Sequence, residues 1–201
     1  MKKYFKWIIC FMSLIIFIYL GMLVLTNNDI YLDSYIYNFI SRYISGDLTY
    51  VIRNLTHIGS AFIVISITIL TLIVFKNKKY GIFMSINLIL ITILQYVLKY
   101  TFARTRPVDI NLIEETGYSF PSGHSLTAVA FYGFIIYLIY TSKLSKKSKY
   151  IYITLLSILI LVTGFSRVYL GVHFFTDVIG AFSFSIAFLI IYTHIIKGRI
   201  R

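Results

Sequence analysis

The chain has 201 residues, of which 59% are hydrophobic and only 13% are charged, and its mean hydropathy is +0.84. Soluble globular proteins are typically about one-quarter charged, so this composition excludes an ordinary soluble domain and predicts a chain that lies largely in lipid. The formal net charge of +12 does not indicate nucleic-acid binding, because the basic residues do not form one patch. The single cysteine, Cys10, lies in an apolar segment and excludes internal disulfides and thiolate metal sites.

Six apolar stretches have, or nearly have, the roughly 20 residues that a helix needs to cross a bilayer. In chain order they are 7–25, 58–75, 80–98, 122–140, 150–165 and 174–196. The first stretch follows Lys2, Lys3 and Lys6 as a signal peptide would, but it is long enough to span and has no convincing cleavage site. Since no internal repeat or second domain is visible, the sequence predicts one all-α membrane domain over residues 1–201.

The basic residues are divided unequally between the two sides of these spans. Thirteen of the 19 Lys and Arg residues, and none of the seven acids, fall on the side that holds both termini. Because cytoplasmic loops are enriched in Lys and Arg, we expect both termini to be cytoplasmic. The sequence therefore predicts a multi-pass protein of the cell membrane, and its richness in Ile, Lys, Asn and Tyr indicates an AT-rich, bacterial genome.

The first outer connection, residues 26–57, contains a helical pattern. Its apolar residues at helical spacing are Leu32, Ile36, Phe39, Ile40 and Tyr43, and polar residues such as Asp33 lie between them. Two interpretations fit this pattern: an amphipathic helix in the outer interface, or an ordinary surface helix packed on the bundle.

The second outer connection begins with "KYTFARTRP", in which Lys99 and Arg106 are seven residues apart and Pro107 follows. These cations are typical of a charged helix end at the membrane surface. They are equally suited to a phosphate group, Lys as a point charge and Arg as a bidentate fork. The spacing alone does not decide between the two.

The same connection ends with "YSFPSGHS", which leads into the fourth span. Proline suits a first helical turn, so Pro121 predicts a helix start. Ser122 and Gly123 then offer a hydroxyl and unobstructed backbone N–H groups at a helix N-terminus, which favours an anion site. His124 follows at the membrane rim, where a lone histidine is more often structural than catalytic.

A third polar group, "SRVYLGVHFFTD", precedes and enters the sixth span. His173 and Asp177 are four residues apart, so their side chains project from one helix face. Asp177 is the only acid inside an apolar span, and a carboxylate on one imidazole nitrogen leaves the other nitrogen with a free lone pair. This arrangement is typical of a nucleophile with its orienting group, although a purely structural pair is the alternative. Arg167 adds a further cation.

The predicted topology brings these three regions together at the outer leaflet. Their candidate residues are Lys99, Arg106, Ser122, Gly123, His124, Arg167, His173 and Asp177. Cations, helix-end N–H groups and two histidines around one point predict a site for a phosphoryl group. Because the one nearby acid is committed to His173, no carboxylates remain for a two-metal centre, and we expect neither metal nor cofactor.

Together, Lys99-x6-Arg106-Pro107, Pro121-Ser122-Gly123-His124 and Ser166-Arg167-x5-His173-x3-Asp177 resemble the three-part signature of the type 2 phosphatidic acid phosphatase family. The resemblance covers essentially the whole chain and every signature position. It implies metal-independent hydrolysis of a membrane lipid phosphate through a phosphohistidine. In this scheme His173 is the nucleophile, Asp177 orients it, and His124 is the general acid. The phosphate would be bound by Lys99, Arg106, Ser122, Gly123 and Arg167.

The resemblance ranks phosphatidylglycerophosphate first among substrates and also admits phosphatidic acid. Undecaprenyl diphosphate, in cell-wall carrier recycling, is the close alternative. A transporter is a remote alternative, because its ionisable residues would be expected near the membrane midplane rather than at one rim. A lipid-binding protein without turnover would need the cations but neither His173 nor Asp177. A vanadium-dependent haloperoxidase carries similar motifs, but those enzymes are soluble and much larger.

Overall fold

The computed structural model describes residues 2–26, 30–108 and 110–200, and within these ranges every regular element is a helix. The eight α-helices are α1 (Lys2–Thr26), α2 (Tyr31–Ser41), α3 (Gly46–Thr56), α4 (Ala61–Val74), α5 (Lys79–Phe102), α6 (Gly123–Thr141), α7 (Lys146–Tyr169) and α8 (Phe175–Ile196). A single 3₁₀ turn, His57–Gly59, lies between α3 and α4. Arg201, one of the predicted cytoplasmic cations, lies outside the described residues.

Five of these helices are long and apolar enough to cross a membrane on their own, namely α1, α5, α6, α7 and α8. The prediction of an all-α integral membrane protein is therefore confirmed. Three of the helices, α1, α5 and α7, extend at both ends beyond the apolar stretches that predicted them. The fifth predicted span, 150–165, lies within α7 (Lys146–Tyr169), and α5 continues past residue 98 to Phe102, so that Lys99 is helical.

The predicted span over 58–75 is the element that the structure corrects. α4 has only 14 residues, which is about 21 Å of helix and too short to cross a bilayer core alone. The helix breaks at Ser60, whose backbone is extended, and the direction of the chain changes by 45° between α3 with its 3₁₀ turn and α4. The Tyr132 hydroxyl donates to the Ile58 carbonyl (2.6 Å) and so fixes this break against α6.

α6 is the central helix of the bundle. It packs against α5, α7 and α8, and it is the most buried of the candidate spans. Phe131 and Phe134 on α6 are fully buried and belong to one apolar cluster with Val64, Met84 and Tyr192 from the surrounding helices. Because α6 is surrounded on so many sides, its N-terminus is held inside the protein rather than at the lipid surface.

The outer segment contains two helices where the sequence predicted one. α2 covers the predicted pattern, but its apolar residues divide between two surfaces. Ile40 is buried and Ile36 packs against the same cluster, whereas Phe39 and Tyr43 are more than half exposed. Asp33, which the pattern placed among the polar positions, is 97% buried. α2 therefore packs on the bundle with one face and leaves an apolar face exposed, and α3 follows as a second helix of this segment.

Candidate active site

The His173–Asp177 pair lies at the N-terminus of α8, but not on one helix face as the four-residue spacing predicted: His173 precedes the helix, and Asp177 lies in its first turn. His173 Nδ1 and Asp177 Oδ2 are 3.3 Å apart, and both side chains are buried. The same Oδ2 atom accepts the backbone N–H of Phe174 at 2.9 Å, so Asp177 also caps the first turn of its own helix. The cap fixes the carboxylate rotamer, and the carboxylate in turn fixes the imidazole.

Arg106 lies against the other imidazole nitrogen of His173. Its Nη1 atom is 3.2 Å from Nε2 and donates to the Val172 carbonyl at 2.8 Å. A guanidinium can only donate, so in this contact Nε2 is the acceptor and the ring proton is assigned to Nδ1, facing Asp177. Burial, and then the charge of Arg106, lower the pKa of His173 well below its ordinary value. The imidazole is therefore neutral, and the lone pair of Nε2 faces Arg106.

The chain between α5 and α6 is wrapped around Arg106. α5 ends at Ala103, which has a left-handed backbone (φ +45°) and turns the chain back towards the bundle. Arg106 Nε and Nη2 then donate to the carbonyls of Gly117 and Thr116, each at 3.0 Å. The ammonium group of Lys99 donates to the Tyr118 carbonyl. The two predicted phosphate-binding cations thus also hold the loop that leads to α6.

Ser122 is the N-cap residue of α6, and Pro121 precedes the helix instead of occupying its first turn. The Ser122 backbone N–H donates to the Asp177 carbonyl at 3.2 Å, which joins the N-termini of α6 and α8. Its hydroxyl is fully buried and lies 2.9 Å from the Ser125 hydroxyl. Gly123 is packed so closely that an added methyl group would lie 2.6 Å from Gln95 Nε2.

Arg167 reaches the site from the C-terminal end of α7. Its Nη1 atom donates to Thr56 Oγ1 at 2.8 Å, and its Nη2 atom donates to the carboxylate of Glu115. The second oxygen of Glu115 is 3.8 Å from Arg106 Nη2, so this carboxylate bridges two of the predicted phosphate-binding arginines. Burial alone would raise the pKa of Glu115, but the charge of Arg167 and its hydrogen bond outweigh burial and hold that pKa below its ordinary value.

Two cavities meet at these side chains. The first, of about 420 Å³, is lined by Lys99, Arg106, Gly123, His124 and His173, and it continues between apolar residues of α4 and α5. The second, of about 570 Å³, is polar and is lined by Arg53, His57, Glu114 and Arg167. Glu115 and His124 line both cavities. Six of the eight predicted residues therefore face one of the two cavities, whereas Ser122 lines neither and Asp177 lies behind His173.

Sequence reasoning missed three charged residues of this region. Glu115 was overlooked because it lies in an irregular loop, so the expectation of a single nearby acid is wrong. Asp33 and Arg104 are the other two, and both are almost completely buried. Arg104 donates to Asp177 Oδ1 at 2.7 Å and to Asp33 Oδ2 at 2.8 Å. The buried charge of Asp177 is therefore compensated by Arg104 and not by His173 alone. The sequence Arg104-Thr105-Arg106, with a second arginine two residues before the predicted phosphate-binding one, was the feature that could have drawn attention to Arg104.

Comparisons with known proteins agree with this architecture. Residues 80–201 match the PAP2 superfamily. Phosphatidylglycerophosphatase B of Bacillus subtilis (strain 168) is 39% identical over 141 residues, covering 68% of this chain and 69% of that protein. Undecaprenyl-diphosphatase of Sulfolobus acidocaldarius is 31% identical over 185 residues, covering 89% and 85%.

Two solved structures share the fold. The transmembrane PAP2-type phosphatidylglycerolphosphate phosphatase from Bacillus subtilis matches with a TM-score of 0.86 at 27% identity, over 94% of this chain and 96% of that one. Aquifex aeolicus LpxE matches with a TM-score of 0.67 at 26% identity, over 84% and 98%. The chain therefore belongs to the PAP2 superfamily. It is a membrane hydrolase of lipid phosphates or diphosphates.

Proposed function

We propose that the chain removes the terminal phosphate of a lipid phosphate through a phosphohistidine on His173. The observation that carries this proposal is the orientation of the imidazole. Its Nδ1 atom faces Asp177, and its Nε2 atom faces a cavity lined with cations. A neutral imidazole held in this way is an activated nucleophile beside a site that favours phosphoryl oxygens.

In the first step, His173 Nε2 attacks phosphorus while the bond from phosphorus to the leaving oxygen breaks. Lys99, Arg106 and Arg167 neutralise the equatorial oxygens, which is the main contribution to catalysis of phosphoryl transfer. The imidazole becomes positively charged as the P–N bond forms, and Asp177 stabilises that charge. His124 donates a proton to the departing oxygen.

In the second step, His124 takes a proton from a water molecule, whose oxygen attacks the phosphorus of phospho-His173. The P–N bond breaks, and Nε2 recovers its lone pair. The polar cavity beside His124 supports a separate route for water and for released phosphate. Among the described residues, no group of three or more His, Cys, Asp or Glu side chains is arranged to hold a metal ion. In this scheme Lys and Arg neutralise the charge of the phosphate.

The shape of the first cavity supports an amphiphilic substrate. Its polar end holds His173 and the cations, and its other end is lined by Val64 and Ile65 of α4 and Leu88 of α5. Phe62 and Ile73 are largely exposed on α4, so this helix faces lipid on its outer side. A headgroup can therefore enter sideways while its hydrocarbon chain stays in apolar surroundings.

The two curated relatives support two substrates. We rank phosphatidylglycerophosphate first, after the more identical relative, and undecaprenyl diphosphate second. Phosphatidic acid has the same terminal phosphate and is accepted in this scheme. An outward-facing site favours the diphosphate alternative, because that product of wall synthesis is released at the outer leaflet.

The membrane placement belongs to the same proposal. We take α3 and α4 together as a bent sixth span, both termini as cytoplasmic, and residues 1–201 as one phosphatase domain in the cell membrane. The unequal distribution of Lys and Arg supports this orientation.

The decisive experiment is phosphate release by purified protein in mixed micelles. Phosphatidylglycerophosphate, phosphatidic acid and undecaprenyl diphosphate are compared with glucose 6-phosphate, and His173→Gln is the control variant. We expect turnover of the lipids, a loss of several orders of magnitude in His173→Gln, and little release from the sugar phosphate. Preference for glucose 6-phosphate would overturn the lipid assignment, and near-normal turnover by His173→Gln would overturn the nucleophile.

A further inference from the structure

We propose that Arg104 and Asp33 are positioning residues for the reaction, which act through Asp177 to hold His173 in its reactive orientation. The three residues form a buried chain of ion pairs, Asp33–Arg104–Asp177, which joins the outer helix α2 to the N-terminus of α8. The inference rests on the proposed phosphohistidine reaction. It gives the outer segment a role in catalysis.

The two oxygens of Asp177 have separate partners. Oδ2 faces His173 and the Phe174 N–H, whereas Oδ1 accepts from Arg104 Nη1 at 2.7 Å. The side chains of Arg104 and Asp177 are both 0% exposed. A carboxylate that is bonded at both oxygens cannot rotate without breaking a buried ion pair. Arg104 therefore determines the direction in which Asp177 presents Oδ2 to the imidazole.

Asp33 holds Arg104 and α8 together. Its Oδ2 atom accepts from Arg104 Nη2 at 2.8 Å and from Thr176 Oγ1 at 2.7 Å. Its Oδ1 atom accepts the Thr176 backbone N–H at 2.8 Å. The guanidinium carbon of Arg104 also lies 3.9 Å from the ring centroid of Phe174. Asp33 of α2 thus contacts the first turn of α8 directly through Thr176, and it contacts Phe174 indirectly through Arg104.

Arg104 differs from the phosphate-binding cations in where it lies. It is 1% exposed and lines neither of the two cavities, whereas Arg106 lines the first and Arg167 the second. Its positive charge is neutralised by the carboxylates of Asp33 and Asp177, so it contributes little direct attraction for a phosphate. We therefore expect Arg104 to affect the chemical step and Arg106 to affect phosphate binding.

Charged and titratable groups face His173 from each element around it. They are Lys99 from α5, Arg106 and Glu115 from the following loop, His124 from α6, Arg167 from α7, Asp177 from α8 and, beyond Arg104, Asp33 from α2. Arg104 offsets part of the negative charge of Asp177. Without Arg104, the carboxylate would favour the protonated imidazole, and the neutral nucleophile would exist only at higher pH.

The test is a double-mutant cycle in the full chain, with phosphate release from micellar phosphatidylglycerophosphate as the assay. We expect Arg104→Met to lower kcat roughly 10²-fold with KM within about threefold of wild type, as for a misplaced catalytic group. In an Asp177→Asn background, Arg104→Met should lower kcat by less than about a further threefold, because both changes disrupt the same Arg104–Asp177 ion pair. The acidic limb of the pH–rate profile should move to higher pH in Arg104→Met.

Two further variants keep the outcome interpretable. Asp33→Asn keeps the shape of the side chain but replaces one of its two accepting oxygens with an NH₂ group, which cannot accept a hydrogen bond. We expect this variant to lower kcat as Arg104→Met does, but by a smaller factor. Arg106→Met should instead raise KM and the inhibition constant for orthovanadate. If Arg104→Met does not fold, as judged by thermal unfolding in detergent, Asp33→Asn decides the question. Additive losses in the cycle, or a raised KM with unchanged kcat, would overturn the inference. A wild-type protein that releases no phosphate would instead overturn the proposed function.

Discussion

Gly171 offers a sharp test of how His173 is placed, because two separate costs meet at this residue. It has a left-handed backbone (φ +68°), and an added methyl group would overlap the carbonyl oxygen of Ile110. The two chain segments are also joined by a hydrogen bond of 2.9 Å from the Leu112 N–H to the Leu170 carbonyl. His173 follows two residues later, so a shift at Gly171 is transmitted directly to the proposed nucleophile.

The expected magnitude for Gly171→Ala is the sum of these two costs. A left-handed conformation costs an L-residue roughly 1–2 kcal/mol, and forced overpacking costs typically about 1–3 kcal/mol. The overlapping atom belongs to backbone and cannot rotate away as a side chain would. We therefore expect a loss of roughly 2–5 kcal/mol in the free energy of unfolding. A displacement of His173 by about 1 Å would lower kcat/KM roughly 10²-fold.

Gly117→Ala is the matched control. Gly117 is also left-handed (φ +75°), but an added methyl group there would meet no atom within 4 Å. Thermal unfolding in detergent should therefore show the backbone cost alone, a loss of about 1–2 kcal/mol in the free energy of unfolding. In the phosphate-release assay in mixed micelles, Gly117→Ala should retain at least about tenfold more activity than Gly171→Ala. Equal losses of stability and activity in the two variants would refute the reasoning.

Three other predictions follow from the site and the membrane placement. Activity should survive excess EDTA and be inhibited by orthovanadate, and loss on chelation with recovery on added Mg²⁺ would contradict charge neutralisation by side chains. In a Cys10→Ser background, a cysteine at Asn111 should react with an impermeant thiol reagent in intact cells, whereas one at Ser145 should not; the reverse pattern would invert the topology. The folded protein keeps His173 neutral while the unfolded chain protonates it near pH 6.5, so stability should fall as pH drops from 7 to 5.5, and less steeply in His173→Gln. Parallel pH dependence in the two proteins would count against the lowered pKa.

Hydrophobic length predicted the bundle because a helix in lipid satisfies its own backbone hydrogen bonds. The exceptions have local causes. The break at Ser60 depends on a hydrogen bond from Tyr132 to Ile58, two residues that are 74 positions apart. The end of α5 at Ala103 is a left-handed cap on a residue other than Gly or Asn, and nothing in its local sequence marks it. The first feature depends on a distant contact and the second has no local signal, so periodicity could not show them.

The contacts of the candidate site could be predicted where they join residues close in sequence, and could not be predicted where they join distant residues. His173 and Asp177 are four residues apart across the start of α8, so their contact could be predicted from the local sequence, although His173 itself precedes the helix. Arg104 and Asp33 are 71 residues apart, and the pattern around Asp33 suggested a solvent-facing acid. The burial of α2 against α8 decides its partner. An ion pair between distant elements leaves no local mark in a single sequence.

The distribution of charge around His173 explains how a membrane protein accommodates so many ionised groups at one site. On the Nε2 side, Lys99, Arg106 and Arg167 with the one carboxylate of Glu115 give a net charge of +2 in their ionised forms. On the Nδ1 side, Arg104 with the carboxylates of Asp33 and Asp177 gives a net charge of −1.

The imidazole thus lies in a field that draws an anion to Nε2 and holds the ring proton at Nδ1. A phosphate monoester dianion would neutralise the first group. The positive charge that develops on His173 during attack would offset the second. Each excess charge therefore has a partner in the reaction itself, and the field is strongest where the protein excludes water. The same field disfavours a protonated His173 before the phosphate binds, since an imidazolium would face three cations. The two charge groups have opposite tasks, and the imidazole ring lies between them.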